Sequence, residues 1–300
     1  MVDPKLYTLL EILESGNYTR AAEKLSLTQP AVTQHIKHLE KELDIKIFNR
    51  VKNKFVPTAQ GNLLIEYARK NIALYEGLQQ SLKDMKRQIR RLRVGITHTA
   101  ESNAVAEVFG KYSLENPGTS IIIISGAINY LYDLLRNYEI DLAVVEGKLS
   151  EPGINSVLLD TDSLVFVVSN NHPLAKKRMV SIEEIKKEPL ILRSSSSGTR
   201  NLFVAHLESK NMSLNEFNLI MEVDNVATIK DLVWRDVGVS ILSRSACLDE
   251  LKKSKMTVLP IENLGMIREI NIVYKKGFHH LALVNRIVES YNEVIKSYVS

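Results

Sequence analysis

Apolar residues recur at helical spacing in three short segments at the start of the chain. Leu6, Leu9, Leu10 and Leu13 mark the first, which stops at Ser15-Gly16. Residues 19–25 form the second, where Ala21, Ala22 and Leu25 give a small apolar face that lets a neighbouring helix approach closely. After the break Ser26-Leu27-Thr28, Thr28 suits an N-cap and Pro30 a first turn, where its missing N–H costs nothing. The third helix therefore starts near Gln29. Within it Val32, Ile36, Leu39 and Leu43 follow spacings of four, three and four, so they share one buried stripe. Pro30, Gln34, Lys37 and Lys41 take the opposite face, with Gln29 and Thr33 on its flank. The stretch "IKIFNRVKNKFVPTAQG" then fits a two-stranded wing in which Ile47-Phe48 pairs with Phe55-Val56 around Lys52-Asn53-Lys54, with Arg50 at its base.

A long helix is predicted from near Thr58. Leu64, Ala68, Asn71, Tyr75, Leu78, Leu82, Met85 and Ile89 alternate spacings of four and three without a slip, which favours a coiled-coil seam with a second chain over the alternative, a helix packed on its own domain's core. Asn71 is a polar interruption able to fix register. Two chains paired along this seam would present two third helices to an inverted repeat.

From Arg91 the pattern changes to strands alternating with helices, which predicts an α/β fold. "LRVGIT", "TSIIIIS" and "DLAVVEG" are strands, with helices over 104–114 and 128–135 between them. After Asp160-Thr161-Asp162 a second set begins with "LVFVVS" and a capping-box helix at Ser181-Ile182-Glu183-Glu184. "PLILR", a helix from Gly198, "NLIMEV", a helix from Asn225 and "VSIL" follow. "REINIVYKK" and a helix over 281–298 return to the first set. Two lobes joined by crossovers near 160–163 and 263–268 make a hinged clamshell.

Composition narrows the class only a little. Hydrophobic residues at 45% and charged residues at 25% are ordinary for a globular protein. No apolar run approaches the length needed to span a bilayer, and the first residues lack a basic-then-apolar secretory pattern, so a cytoplasmic protein away from membranes is expected. Cys247 is the single cysteine; it cannot make an internal disulfide and reads as a small core residue, with a redox sensor as the lesser alternative. Charge distribution says more. Residues 1–91 hold 16 Lys and Arg against 10 Asp and Glu, while the remainder holds 23 against 25. A basic first third on a slightly acidic body points to a polyanion as partner of the first third alone.

The polar face of the third helix identifies that polyanion as double-stranded DNA. Gln bonds adenine in bidentate fashion, Thr reaches a base edge or a thymine methyl, and Lys neutralises phosphate. Thr28, Gln29, Pro30, Thr33, Gln34 and Lys37 are the candidate readers, and Arg50, Lys52 and Lys54 of the wing are candidates for the phosphate backbone or minor groove.

The run "TRAAEKLSLTQPAVTQHIKHLEKEL" followed by "IFNR" and "PTAQG" resembles the N-terminal winged helix-turn-helix of LysR-type transcriptional regulators, and the likeness extends over essentially all 300 residues. Gln34 stands where many members carry Arg, and "RVKNKF" replaces a wing richer in Arg and Gly, so base preference stays open. The resemblance implies an α+β multidomain architecture. Residues 1–58 would form the DNA-binding domain, with the helix-turn-helix over about 18–37, and 59–90 a linker helix that dimerises. Residues 91–300 would form a periplasmic-binding-protein-like effector domain, lobe I being 91–161 with 268–300 and lobe II 162–267. It also implies a homodimer, with a homotetramer as the full assembly, bound to an interrupted inverted repeat near target promoters, with RNA polymerase as a candidate contact. Leu64, Tyr75, Leu78, Leu82 and Met85 are the candidate dimer contacts.

In open α/β sheets, ligands lie beyond the carboxyl ends of strands, where helix N-termini converge. "GITHTAE" offers Thr97, His98 and Thr99 there; "VDNVAT" offers Asn225. "RSSSSGTR" offers the hydroxyls of Ser195, Ser196, Ser197 and Thr199, close backbone approach at Gly198 and a cation at Arg200. The set favours a small carboxylate or inorganic oxyanion as co-inducer, with no cofactor or metal, though a Ser-rich loop ending in an N-cap is the plain alternative. His98, His172, His279 and His280 show no metal-ligand spacing, and neither a phosphate-loop lysine nor a Gly-x-Ser-x-Gly elbow occurs. No enzyme is expected. A transferase holding a phosphorylated substrate at 195–200 would leave the DNA-reading helix idle, and a bare solute-binding protein would need export.

Overall fold

A computed structural model describes residues 1–51, 54–87, 90–102, 104–147, 149–278 and 281–299. The chain divides into two compact units, Met1–Arg90 and, in the main, Arg91–Leu135 with Ile140–Ser300.

In the first unit the caps set the helices. Asp3 accepts from the Lys5 N–H at 2.9 Å to start α1 (Pro4–Ser15), and Gly16, at φ 71°, turns the chain away while its N–H bonds to Ile12 O. Asn17 caps α2 (Tyr18–Leu25) by accepting from Arg20 N at 2.8 Å, and Ser26 ends it in the left-handed region. Thr28 caps α3 (Gln29–Leu43) through Ala31 N at 3.3 Å. Val32, Ile36 and Leu39 are buried with Leu9, Ile12, Ala21 and Ala22 in one core. Leu43, expected on the same stripe, is 46% exposed, because the helix runs past its partners and ends at Asp44.

The wing pairs β1 (Phe48–Val51) with β2 (Lys54–Pro57), Arg50 opposite Phe55. Ile47 lies before the strand, fully buried in the helical core instead of in the ladder. Phe55 holds the wing in place, its ring 4.6 Å from Tyr18 and 6.2 Å from Phe48.

Thr58 accepts from Gly61 N and opens α4 (Ala59–Arg87). Gly61 is required there, since a Cβ would stand 2.1 Å from the Ile47 carbonyl oxygen. The predicted seam splits on this helix. Ala68 is fully buried and Leu64 half-buried in the unit's own core, beside Ile65 and Ile72. Leu63, Tyr67, Leu74, Leu78 and Leu82 form an exposed apolar stripe instead. At about 100° per residue the stripe centres roughly 130° round the helix from the Ile65–Ala68–Ile72 face, with Leu82 nearest to that face. Ile89 lies outside the described residues.

In the second unit the described strands build one mixed sheet in the order β4-β3-β5-β11-β6-β9-β7-β8, with β10 on β6. They are β3 (Arg90–Thr97), β4 (Thr119–Gly126), β5 (Leu142–Glu146), β6 (Ile154–Ser169), β7 (Leu190–Leu192), β8 (Leu219–Glu222), β9 (Val239–Ser243), β10 (Met256–Leu259) and β11 (Ile267–Lys275). Lobe I packs α5 (Val105–Glu115) and α11 (Leu281–Val299) on one sheet face and α6 (Ile128–Arg136) on the other. Lobe II packs α7 (Ile182–Ile185) and α8 (Gly198–Glu208) on one face. Its other face carries α9 (Val226–Trp234), with α10 (Leu248–Lys252) beside β10.

The break expected at Asp160-Thr161-Asp162 is a correction. Strand β6 runs unbroken from Ile154 to Ser169, and β11 pairs antiparallel with it from Ile154↔Lys275 to Ser163↔Ile267. The hinge is therefore a two-stranded ladder, in which Asp162 is buried among Ser243, Ser245 and Arg268 and Asp160 accepts from Tyr291 of α11.

Candidate functional site

In the first unit, α2, α3 and the wing enclose an open groove of about 960 Å³. Gln29, Thr33 and Lys37 of α3 line it with Asn17, Thr19 and Arg20 of α2 and Asn49 and Arg50 of the wing. Arg20, Lys37 and Arg50 are exposed, so the groove carries cations on three sides. Of the two carboxylates that line it, Glu23 is exposed and Glu40 is committed: Oε1 accepts from Ile47 N at 2.9 Å and Oε2 pairs with Lys46 at 3.1 Å. Thr28, Pro30 and Gln34 are exposed on the same helix. Gln29 Nε2 donates to Thr33 Oγ1 at 3.2 Å, which itself donates to Gln29 O at 3.0 Å, so both side chains are held at the groove before any ligand arrives. Lys52 lies outside the described residues, and for Lys54 only the backbone, in β2, is described. Asn17, Thr19, Arg20 and Asn49 carry no signal of their own in the sequence, because only the packing of α2 and the wing against α3 brings them to one groove.

In the second unit, charged side chains meet where the lobes join. Thr99 Oγ1 of lobe I lies 3.5 Å from Thr199 Oγ1 of lobe II, and Arg268 Nη1 of the hinge donates to Thr199 Oγ1 at 3.3 Å. Arg268 Nη2 reaches Asp162 Oδ2 at 3.4 Å. Asp162 is otherwise satisfied by Ser163 N, Ser245 N and the hydroxyls of Ser243 and Ser245. Thr97 donates to Glu146 Oε2. Burial pushes the Glu146 carboxyl above its usual range, opposed by the nearby Arg268 guanidinium and the Thr97 bond. Arg193, at the end of β7, is only 2% exposed; burial pulls its guanidinium down, opposed by Asp224, whose Oδ1 lies 3.5 Å away. Nε and Nη1 of Arg193, Nε of Arg268 and Oε1 of Glu146 are closed to solvent and have no hydrogen-bond partner. Groups of this kind cost about 1–3 kcal/mol each when left unmet.

The sequence-predicted residues divide around this point. Thr97, Thr99 and Thr199 are buried at the junction, and Ser197, also buried, caps α8 without a side-chain bond. Ser195 and Ser196 are exposed on the loop, Ser196 3.0 Å from Ser194, and Gly198 opens the helix with free space around it. Arg200, expected as the cation of the site, spends its guanidinium on Glu222 at 2.7 Å and on Arg193 O at 3.2 Å. Asn225 caps α9 by accepting from Thr228 N, and His98 Nδ1 faces Glu101 at 3.6 Å. Among the described residues, Arg193 and Arg268 are buried cations that keep N–H groups without a partner although each also meets a carboxylate, Asp224 and Asp162. They open the stretches "RSSSSGTR" and "REINIVYKK" but were not among the residues expected at the site.

Two family models match the chain: the LysR substrate binding domain over residues 86–296, and the bacterial regulatory helix-turn-helix protein of the lysR family over residues 5–62. The chain belongs to the LysR family. This LysR-type regulator pairs a DNA-binding helix-turn-helix with an effector-binding domain, and the family consists of transcription regulators rather than enzymes. It is 30% identical over 267 residues to the transcriptional activator CmpR of Synechocystis, covering 89% of this chain and 86% of that one. With CysL of Bacillus subtilis it shares 26% over 270 residues, 90% and 89% of the two chains. The structure of full-length CbnR complexed with its target DNA superposes with a TM-score of 0.68 at 17% identity, covering 97% of this chain and 99% of that one. The regulatory domain of Synechocystis CcmR in complex with 2-PG superposes at 0.58 and 22% identity, covering 67% and 97%. At these identities the structures establish the fold. No helix among the described residues of the LysR-type chain is long and apolar enough to cross a membrane.

Proposed function

We propose that this cytoplasmic regulator reads an inverted repeat as a homodimer, assembled further into a tetramer, and that a small anion between the lobes alters its hold on DNA. Thr28, Gln29, Pro30, Thr33, Gln34 and Lys37 read bases or position α3, while Arg50, with Lys52 and Lys54, meets phosphate. Leu78 and Leu82, with Tyr75, Leu64 and Met85 beside them, take part in the dimer contact along α4. The effector is an oxyanion or carboxylate held by Arg193, Arg268, Thr97, Thr99, Ser197 and Thr199, with His98, Ser195, Ser196, Gly198, Arg200 and Asn225 at the rim.

One observation carries the effector half: Arg268, a buried guanidinium with an unmet N–H, donates to Thr199 at the cross-lobe Thr99–Thr199 contact, and Arg193 of lobe II is a second buried guanidinium with unmet N–H groups. Only a ligand that touches both lobes favours one hinge angle over another, and so only such a ligand transmits free energy. The CcmR domain, solved with 2-PG, lends support from a related fold. Thr199→Val keeps the shape and removes one hydroxyl partner of Arg268. Calorimetry of full-length protein with small oxyanions, wild type against Thr199→Val, is the test. A loss of about tenfold to a hundredfold in affinity is expected; an affinity unmoved by Thr199→Val and Arg268→Ala alike would put the effector elsewhere.

A further inference from the structure

We infer that Glu146 makes the interlobe site selective for an oxyanion that carries a donor hydrogen, a P–OH or an α-hydroxyl beside the charged oxygens, and turns away donor-free anions of equal size such as sulfate. This deepens the proposed effector site and rests on it.

The unmet groups at the junction are of two kinds. Arg193 and Arg268 present three N–H groups without partners, and Glu146 presents one carboxylate oxygen without a partner. These side chains belong to one cluster. Glu146 stands opposite Ile270 in the β5–β11 ladder, two residues from Arg268 and so on the same face of that strand, and Arg268 in turn reaches Asp162 and Thr199. The charges of Glu146 and Arg268 are also felt at Arg193. With Glu146 ionised, the state that the Arg268 guanidinium and the Thr97 bond favour against its burial, an anion that met only the guanidinium groups would set its own charge against the open oxygen. The selectivity fades as pH falls and the carboxyl takes up a hydrogen of its own. Leaving that acceptor unmet costs about tenfold to a hundredfold in affinity, before any repulsion is added.

Neighbouring groups cannot relieve it. Thr97 has one hydroxyl hydrogen, already given to Oε2 of the same carboxylate. Asp162 does not compete for a ligand's hydrogen, because two backbone or side-chain donors already meet each of its oxygens: Ser163 N and Ser245 N on Oδ1, and the hydroxyls of Ser243 and Ser245 on Oδ2. Of the two carboxylates in the cluster, only Glu146 has room for a new donor. A ligand bearing acceptor oxygens and one hydrogen therefore matches the set, whereas sulfate, fully ionised near neutral pH, supplies no hydrogen. Hydrogen phosphate has the same tetrahedral shape and keeps one.

Two matched pairs test this on the full-length protein by isothermal titration calorimetry near neutral pH at constant ionic strength: hydrogen phosphate against sulfate, and glycolate against acetate. The donor-bearing member of at least one pair should bind more tightly by about tenfold to a hundredfold. Preference confined to the first pair assigns the donor to phosphorus, and preference confined to the second assigns it to a hydroxy acid. Glu146→Gln offers an N–H where the open oxygen stood, so sulfate should gain and the ratio fall towards one. Parity within both wild-type pairs, with binding still lost in Arg268→Ala, overturns the selectivity and leaves the anion site standing. No binding of any of the four overturns the anion site itself, and the inference with it. If Glu146→Gln fails to fold, the wild-type ratios decide alone.

Discussion

Gln34 and Arg50 represent the two ways a single side chain contributes to DNA recognition. Gln34 stands exposed on α3, and an amide there reads a base through paired donor and acceptor atoms. Gln34→Ala should relax preference at one operator position by about 1–3 kcal/mol, measured by competition between operator variants. Arg50→Ala should weaken binding to every sequence and reduce the salt slope by about 0.9, seen in a salt titration. An unchanged slope would remove Arg50 from the phosphate contacts. Cys247 has the opposite character, that of a side chain withdrawn from chemistry. It is fully buried in the core under α9, and burial pushes its thiol up to about 12. The thiolate is the reactive species, so near neutral pH a maleimide should label the folded protein very slowly and the denatured protein at once. Fast labelling of folded protein would restore the redox-sensor alternative. The exposed polar face of α3 was legible in the sequence, because helical periodicity separates it from the buried Val32–Ile36–Leu39 stripe. Arg193 and Arg268 were not legible, since a lone cation at a strand end looks the same whether it is solvated or sealed.

The helix α4 shows the same limit at the scale of an element. Its spacings of four and three were visible in the sequence, but two apolar faces satisfy them, and only packing separates one from the other. Ile65, Ala68 and Ile72 dock the helix on its own unit, while Leu74, Leu78 and Leu82 remain uncovered. The two faces should respond differently to substitution. Ile72→Ala should cost about 2–5 kcal/mol of stability with association unchanged, read by denaturant unfolding. Leu78→Glu with Leu82→Glu should leave the fold intact and split the dimer in light scattering, because like charges would be buried at a two-fold contact. A double variant that stays dimeric would move the interface off this stripe. The hinge strand β6 hid for a related reason: Asp160-Thr161-Asp162 has the composition of a turn, yet tertiary partners, Tyr291 for Asp160 and Ser243, Ser245 and Arg268 for Asp162, satisfy the carboxylates within an extended strand.

For the whole molecule, the link between effector and operator is a coupling free energy, and thermodynamics makes it reciprocal. If the anion changes operator affinity by some factor, the operator must change anion affinity by the same factor, commonly about 5- to 150-fold in coupled systems. The hinge is suited to hold two states apart. Arg268 on β11 touches Thr199 of lobe II and Asp162 of β6, so a ligand seated on Arg268 loads the ribbon itself. The measurement is a closed cycle on full-length protein: anion titrated into free and operator-bound protein, then operator titrated with and without anion. Equal factors on the two legs are required by any true binding linkage. A factor near one on both would mean that the anion binds without signalling, and Arg268→Lys then separates the alternatives. Lysine keeps the charge but cannot reach Thr199 and Asp162 together through one planar fork. If the hinge contact carries the signal, Arg268→Lys should retain part of the anion affinity while the coupling factor falls towards one. Loss of affinity with an unchanged factor would place the coupling in the lobes rather than in the ribbon that joins them.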